Sequence, residues 1–137
     1  MRRNEEEAMA KAVALSCVAM ILLCTSIQAH HSFAAQFDPT KPMTINGSVT
    51  KVEWTNPHIY LYVDVKDPAG TVVNWAIEMG NSMQLVRLGW TRNDMKVGDV
   101  VTVDGWLARD GTKLMNAKTV LLGGRKMFAG SSQSTTP

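Results

Sequence analysis

The chain of 137 residues carries 14 Lys and Arg against 12 Asp and Glu, and its formal net charge of +2 is too small to predict a polyanionic partner. Its length suits one compact domain and makes two implausible. Both cysteines, Cys17 and Cys24, lie near the N-terminus, so the rest of the chain has no thiol for a disulfide or a thiolate metal site and must be held by an apolar core.

The first 29 residues have the pattern of a secretory signal peptide. Basic residues precede an apolar run over residues 12–27, and Ala29 is a small residue at the expected cleavage site. The run is short for a membrane span, which takes about 20 apolar residues. We therefore expect a periplasmic or secreted protein with no stable membrane anchor after cleavage, and an uncleaved anchor is the alternative. Two features depart from the usual pattern: Glu5, Glu6 and Glu7 weaken the basic region, and Ile27 is larger than the residue usually found three positions before the cleavage site.

Three segments are expected after cleavage. Residues 30–42 read as an N-terminal arm, because they mix polar and small residues with two prolines and show no sustained period. Phe33 and Phe37 are expected to fix this arm to the core. Residues 43–130 should form the folded domain, and the polar residues 131–137 should form a disordered tail.

The first half of the domain predicts three strands. The first covers residues 43–54, with a bulge at Gly47 or near Lys51. Residues 58–66 then alternate between apolar and polar types. A turn containing Pro and Gly returns the chain through residues 72–79 and makes a hairpin. The alternation predicts which side chains of the second strand face the core: Ile59, Leu61, Val63 and Val65.

A short helix follows the hairpin. Asn81 or Ser82 can cap its first turn, and Gly89 can end it. Met83, Val86 and the neighbouring leucines are expected to form its apolar side.

Two more strands, at residues 100–108 and 113–122, complete the domain. The order of three strands, a helix and two strands predicts an all-β fold with one short helix between strands 3 and 4. This is the order found in the OB-fold, a small barrel of five antiparallel strands. Strand order does not specify strand pairing, so a different small β-barrel or a sandwich is the alternative.

Three short motifs occur together: HHSF at residues 30–33, WTNPH at residues 54–58 and GDVV at residues 98–101. In this combination the chain resembles a family of small exported bacterial proteins known only as a domain of unknown function, over nearly all of residues 30–130. The resemblance implies export and a small β-rich domain. It implies no established activity, so it assigns no catalytic residue.

The candidate metal ligands are His30, His31 and His58. Cleavage after Ala29 would leave His30 with a free α-amine, which can chelate one metal ion together with the Nδ1 of the same residue. If the arm folds back, His58 completes a three-nitrogen set, and His31 is a fourth ligand or a replacement. Because nitrogen ligands of this type suit Cu(II), the sequence predicts a copper-binding protein. Copper is the expected cofactor, and no other cofactor is expected. A hydrogen-bonded or solvent-exposed His58 without a metal is the alternative.

Trp54, Tyr60 and Tyr62 form the second candidate site. On an OB-like barrel the two tyrosines would point outward from the second strand, where such barrels bind ligands by stacking. Export makes nucleic acid an unexpected partner and leaves a small envelope ligand or another envelope protein. The alternative is that these rings are half-buried sheet residues, since aromatic residues favour strands.

An enzymatic activity has little support in the sequence. It contains no Gly-x-Ser-x-Gly or His-Glu-x-x-His motif, and the mature part has no cysteine nucleophile. We therefore predict no catalytic residue and favour a binding protein, while leaving an enzyme as an open alternative.

Overall fold

The structure of the protein, a computed structural model, describes residues 33–131. The predicted signal peptide, His30, His31 and residues 132–137 of the predicted tail lie outside the described residues. Residues 33–36 are helical. The chain then forms, in order, β1 (Phe37–Glu53), β2 (Tyr60–Lys66), β3 (Val72–Glu78), α1 (Ser82–Arg87), β4 (Val100–Ala108), β5 (Leu114–Leu122) and β6 (Arg125–Phe128).

The strands form one sheet that closes into a ring. Its order is β3-β2-β1-β4-β5-β6, and β3 also pairs with β5. The pairing of β3 with β5 is parallel, whereas the other pairs are antiparallel. The prediction of a small OB-like β-barrel with a helix between the third and fourth strands is confirmed. Neither β6 as a separate strand nor the parallel pair was predicted from the sequence.

β1 is longer than predicted and includes part of the expected arm. It starts at Phe37, and its pairing with β4 is irregular between Phe37 and Pro42. The prolines of the arm fit this irregular stretch because proline has no N–H to donate to a ladder. A second irregularity lies between Val49 and Lys51, which confirms the predicted bulge near Lys51.

Gly47 has a different role from the predicted bulge. It pairs regularly with Val101 of β4. A Cβ at this position would lie 2.2 Å from the backbone oxygen of Asp64, so glycine here permits the close approach of β2 to β1.

The core fills the inside of the ring. Ile59, Leu61 and Val63 are fully buried, as the alternation predicts, and Val65 is only partly buried near the end of the strand. A second, smaller apolar cluster fixes the beginning of the described chain, as the sequence predicted for Phe33 and Phe37. It consists of Phe33, Phe37 and Ala108, with Trp106 and Leu114 against them.

The capping prediction for α1 is confirmed, and its predicted apolar side is correct for the leucines but wrong for Met83 and Val86. The Oδ1 of Asn81 accepts a hydrogen bond of 2.8 Å from the backbone N–H of Gln84. Met83 and Val86 are 64% and 58% exposed, and Leu85 is the buried residue of the helix. A helix of under two turns places few side chains on the barrel, and the fully buried Trp90 that follows it belongs to the same core cluster as Leu85.

Within residues 33–131, no helix has both the length and the apolar character that a membrane span requires.

Candidate functional site

His58 lies in the loop between β1 and β2. Its Nδ1 is 3.1 Å from the backbone oxygen of Met79, and 47% of its side chain is exposed. A carbonyl oxygen can only accept, so this hydrogen bond requires the proton on Nδ1. In the neutral ring the lone pair is then on Nε2. Metal-bound histidines commonly have this arrangement, in which a second hydrogen bond fixes the tautomer and the ring orientation.

Glu78 is the buried carboxylate beside His58. Its Oε2 accepts a hydrogen bond of 2.8 Å from the hydroxyl of Tyr60, and its Oε1 accepts one of 3.1 Å from Nδ2 of Asn116. The same Oε1 lies 3.9 Å from Nδ1 of His58. Strand register brings these groups together, because Glu78 is opposite Tyr60 on β2 and opposite Asn116 on β5.

Asn116 has one polar atom without a partner. The residue is 5% exposed, and its Oδ1 makes no hydrogen bond within the described part of the chain. Buried acceptors of this kind are uncommon in native proteins, and each indicates strain or an absent water, ion or ligand. We call His58, Tyr60, Glu78 and Asn116 the Glu78 cluster.

A second polar group extends the same outer face toward β1. The hydroxyl of Tyr62 donates a hydrogen bond of 3.0 Å to Oε2 of Glu53, and Lys51 contacts the other oxygen of that carboxylate. Lys51 Nζ also lies 5.1 Å from the centre of the Tyr62 ring. Both candidate tyrosines therefore have their hydroxyls fixed by carboxylates.

The electrostatics of this face follow from those contacts. Burial, and then the hydrogen bond to Glu78, raise the pKa of Tyr60, and burial and Glu53 raise the pKa of Tyr62. The hydrogen bonds from Lys51 and then Tyr62 lower the pKa of Glu53. At neutral pH the face therefore presents neutral phenols beside an ionised carboxylate.

The structure places the sequence-predicted site residues as follows. His58, Tyr60 and Tyr62 lie on neighbouring parts of one surface, whereas the ring of Trp54 packs partly against the core. His30 and His31 lie outside the described residues. Between residues 33 and 131, no three His, Cys, Asp or Glu side chains converge in a way that could hold a metal ion.

The proximity of Glu78 and Asn116 to His58 was not predicted from the sequence. A signal for the first was present, because the tight turn between β2 and β3 sets a register that brings Tyr60 opposite Glu78. No comparable local signal predicts Asn116, since its pairing with β3 depends on closure of the barrel.

The closed ring of strands, with a short helix between the third and fourth, defines a small OB-like β-barrel domain. The sequence matches the family model described as "Family of unknown function (DUF6152)" over residues 18–116, and the chain belongs to that family. The resemblance to an uncharacterised family is thereby confirmed.

No curated protein sequence matches the chain. Among solved structures, the fold is similar to the mitochondrial single-stranded DNA binding protein Rim1 of S. cerevisiae. The sequences are 19% identical, the TM-score is 0.47, and the similarity covers 61% of this chain and 94% of that chain.

Proposed function

We propose that the protein is an exported copper-binding protein that holds Cu(II) with His30, His31 and His58. The observation that carries the proposal is the geometry of His58. Its Nδ1–H is held by the backbone oxygen of Met79 at 3.1 Å, which leaves Nε2 as the metal-binding nitrogen. The ring is half exposed, so an ion can reach it from solvent without disturbing the core.

The proposal requires the N-terminal histidines to approach His58. The described chain begins at Phe33, whose ring lies 5.5 Å from that of Trp106, and Trp106 is the strand partner of Asn116 in the Glu78 cluster.

The Glu78 cluster also supplies charge of the right sign. The Glu78 carboxylate lies 3.9 Å from the His58 ring and is 7% exposed, so water screens it less than a surface carboxylate. A negative charge at this distance favours the binding of a metal cation by the imidazole.

The test is a copper titration of the processed protein. The full chain is expressed with its own leader in a bacterium that has a periplasm, and intact mass and cell fractionation establish cleavage after Ala29 and export. Cu(II) binding and spin-resonance spectra are then compared among the processed protein, a form with one extra N-terminal residue, and His58→Gln. Tyr62→Phe is the control that leaves the nitrogen ligands unchanged.

We expect tight one-to-one binding with nitrogen coupling in the processed protein. The extra residue should abolish the terminal chelate, and His58→Gln should weaken binding and reduce the number of coupled nitrogens. Weak binding that is indifferent to both changes would contradict the proposal.

A metal-free binding module is the second candidate function, and the rigidity of Tyr60 and Tyr62 favours it. Their hydroxyls are held at 2.8 Å and 3.0 Å by carboxylates, so their rings are preorganised for stacking with a small envelope ligand or another envelope protein. Under this function Tyr62→Ala should reduce ligand binding, and His58→Gln should not. Trp54 contributes less to this surface because its ring packs partly on the core.

A further inference from the structure

We propose that a groove beside Trp106 binds a small monoanionic carboxylate ligand with a flat apolar body. The groove has a volume of about 450 Å³ and is formed by β1, β4, β5 and β6. Sites for small ligands usually have volumes of about 300–1,000 Å³. The residues that carry the argument are Met43, Thr44, Asp104, Trp106, Lys118 and Lys126.

Asp104 is held rigidly at the groove. Its Oδ1 accepts a hydrogen bond of 2.7 Å from the Thr44 hydroxyl, and its Oδ2 accepts one of 2.9 Å from the Thr119 hydroxyl. Lys126 Nζ lies 3.4 Å from the same Oδ2. Both carboxylate oxygens are therefore occupied by the protein, and Asp104 serves to hold the Lys126 ammonium at the groove.

Lys118 is directed to the groove by a bulge. Asp104 pairs with Thr119 on β5, whereas Gly105 pairs with Ala117, so Lys118 has no partner on β4. An extra residue of this kind re-aims side chains and is frequent beside functional sites. Among the described residues, no carboxylate forms an ion pair with Lys118. Its ammonium is free to meet a ligand.

The charges and the apolar wall define the ligand class. Two ammonium groups and one carboxylate leave a net charge of +1 at the groove, which one carboxylate balances. A phosphate dianion would leave excess negative charge beside Asp104. Trp106 and Met43 supply an apolar surface, and Phe33 packs edge-to-face on the Trp106 indole at 5.5 Å. The fixed indole suits a flat ring.

The test uses benzoate as the probe and benzyl alcohol as its neutral counterpart. The full chain is expressed with its own leader, and each compound is titrated in the absence of metal into the protein that is isolated. The result therefore does not depend on the copper proposal. Binding is followed by two-dimensional NMR of the backbone amides. Lys118→Met removes the free ammonium while keeping an unbranched chain, and Lys66→Met at the end of β2 is the matched control.

We expect benzoate to shift the amides of Gly105, Lys118 and their neighbours. Benzyl alcohol and the Lys118→Met variant should each give binding weaker by about tenfold or more, because a charge-assisted hydrogen bond is lost, and Lys66→Met should bind as the wild type does. The proposal is overturned if benzoate causes no shifts at the groove, if benzyl alcohol binds equally well, or if Lys118→Met has no effect.

Discussion

Glu78 shows how one buried residue can organise a surface. Side chains from β2, from β5 and from the loop before β2 surround its carboxylate. The sequence predicted that Tyr60 points outward, because alternation along a strand is a local property. It could not show that Tyr60 donates to a buried carboxylate, because that contact depends on the partner strand.

Tyr60→Phe tests the importance of that contact. The change keeps the ring but removes the donor to Oε2 of Glu78, and leaves a buried acceptor with one partner fewer. We expect the free energy of unfolding to fall by about 1–2 kcal/mol, measured by urea denaturation. Tyr62→Phe is the matched control. Its hydroxyl reaches Glu53, whose side chain is 34% exposed, so the loss should be smaller. Equal losses would show that burial of Glu78 does not matter.

Asp104 should make stability depend on pH. Its pKa is lowered from 3.8, first by the Thr44 hydrogen bond and then by Thr119 and Lys126. A lowered folded-state pKa means that the contribution is present above the unfolded value and is lost as the pH falls through the folded value.

Asp104→Asn should therefore be less stable than the wild type at about pH 7, with a gap that narrows below about pH 4. Urea denaturation across this range measures the gap. Lys126→Met should reproduce only a minor part of it, because the hydroxyl of Thr44 is the larger cause. A gap that stays constant with pH would contradict this explanation.

At the scale of elements, the turns and caps were predictable and the packing was not. The Asn81 cap and the hairpin turn depend on neighbouring residues, and both are present as predicted. The apolar side predicted for α1 was right for Leu85 but wrong for Met83 and Val86, which have helical spacing and yet are exposed. Which face of a short helix packs on the barrel depends on the tertiary structure, and local periodicity does not predict it.

Leu85→Ala and Val86→Ala test which side of α1 is buried against the barrel. Leu85 is fully buried, so its truncation should lower the free energy of unfolding by about 2–5 kcal/mol. Val86 is 58% exposed, and its truncation should change stability by about 0.5 kcal/mol or less. Thermal and urea denaturation of both variants measure the difference. A comparable loss in Val86→Ala would show that Val86 also packs on the barrel.

At the scale of the whole molecule, the sequence predicted the element order and the OB-like architecture but not how the ring closes. Each predicted strand came from alternation and turn residues. The closing contact joins β3 to β5 in parallel over a short stretch, in which Ala76 is opposite Leu114 and Glu78 is opposite Asn116. These residues are far apart in the chain, and nothing local in either strand specifies the partner. The Glu78 cluster depends on this same contact.

Closure of the ring can be tested by amide hydrogen exchange. The N–H of Ala76 donates to the oxygen of Lys113 at 2.9 Å across the closing contact, whereas that of Asp67 donates to Thr71 within the exposed hairpin turn. If the barrel opens only when the whole domain unfolds, Ala76 should exchange with a free energy within about 1 kcal/mol of that for global unfolding. Asp67 should exchange much faster through local opening. Similar rates at the two amides would mean that β3 separates from β5 in the native state, and Asn116 would then be free to leave Glu78.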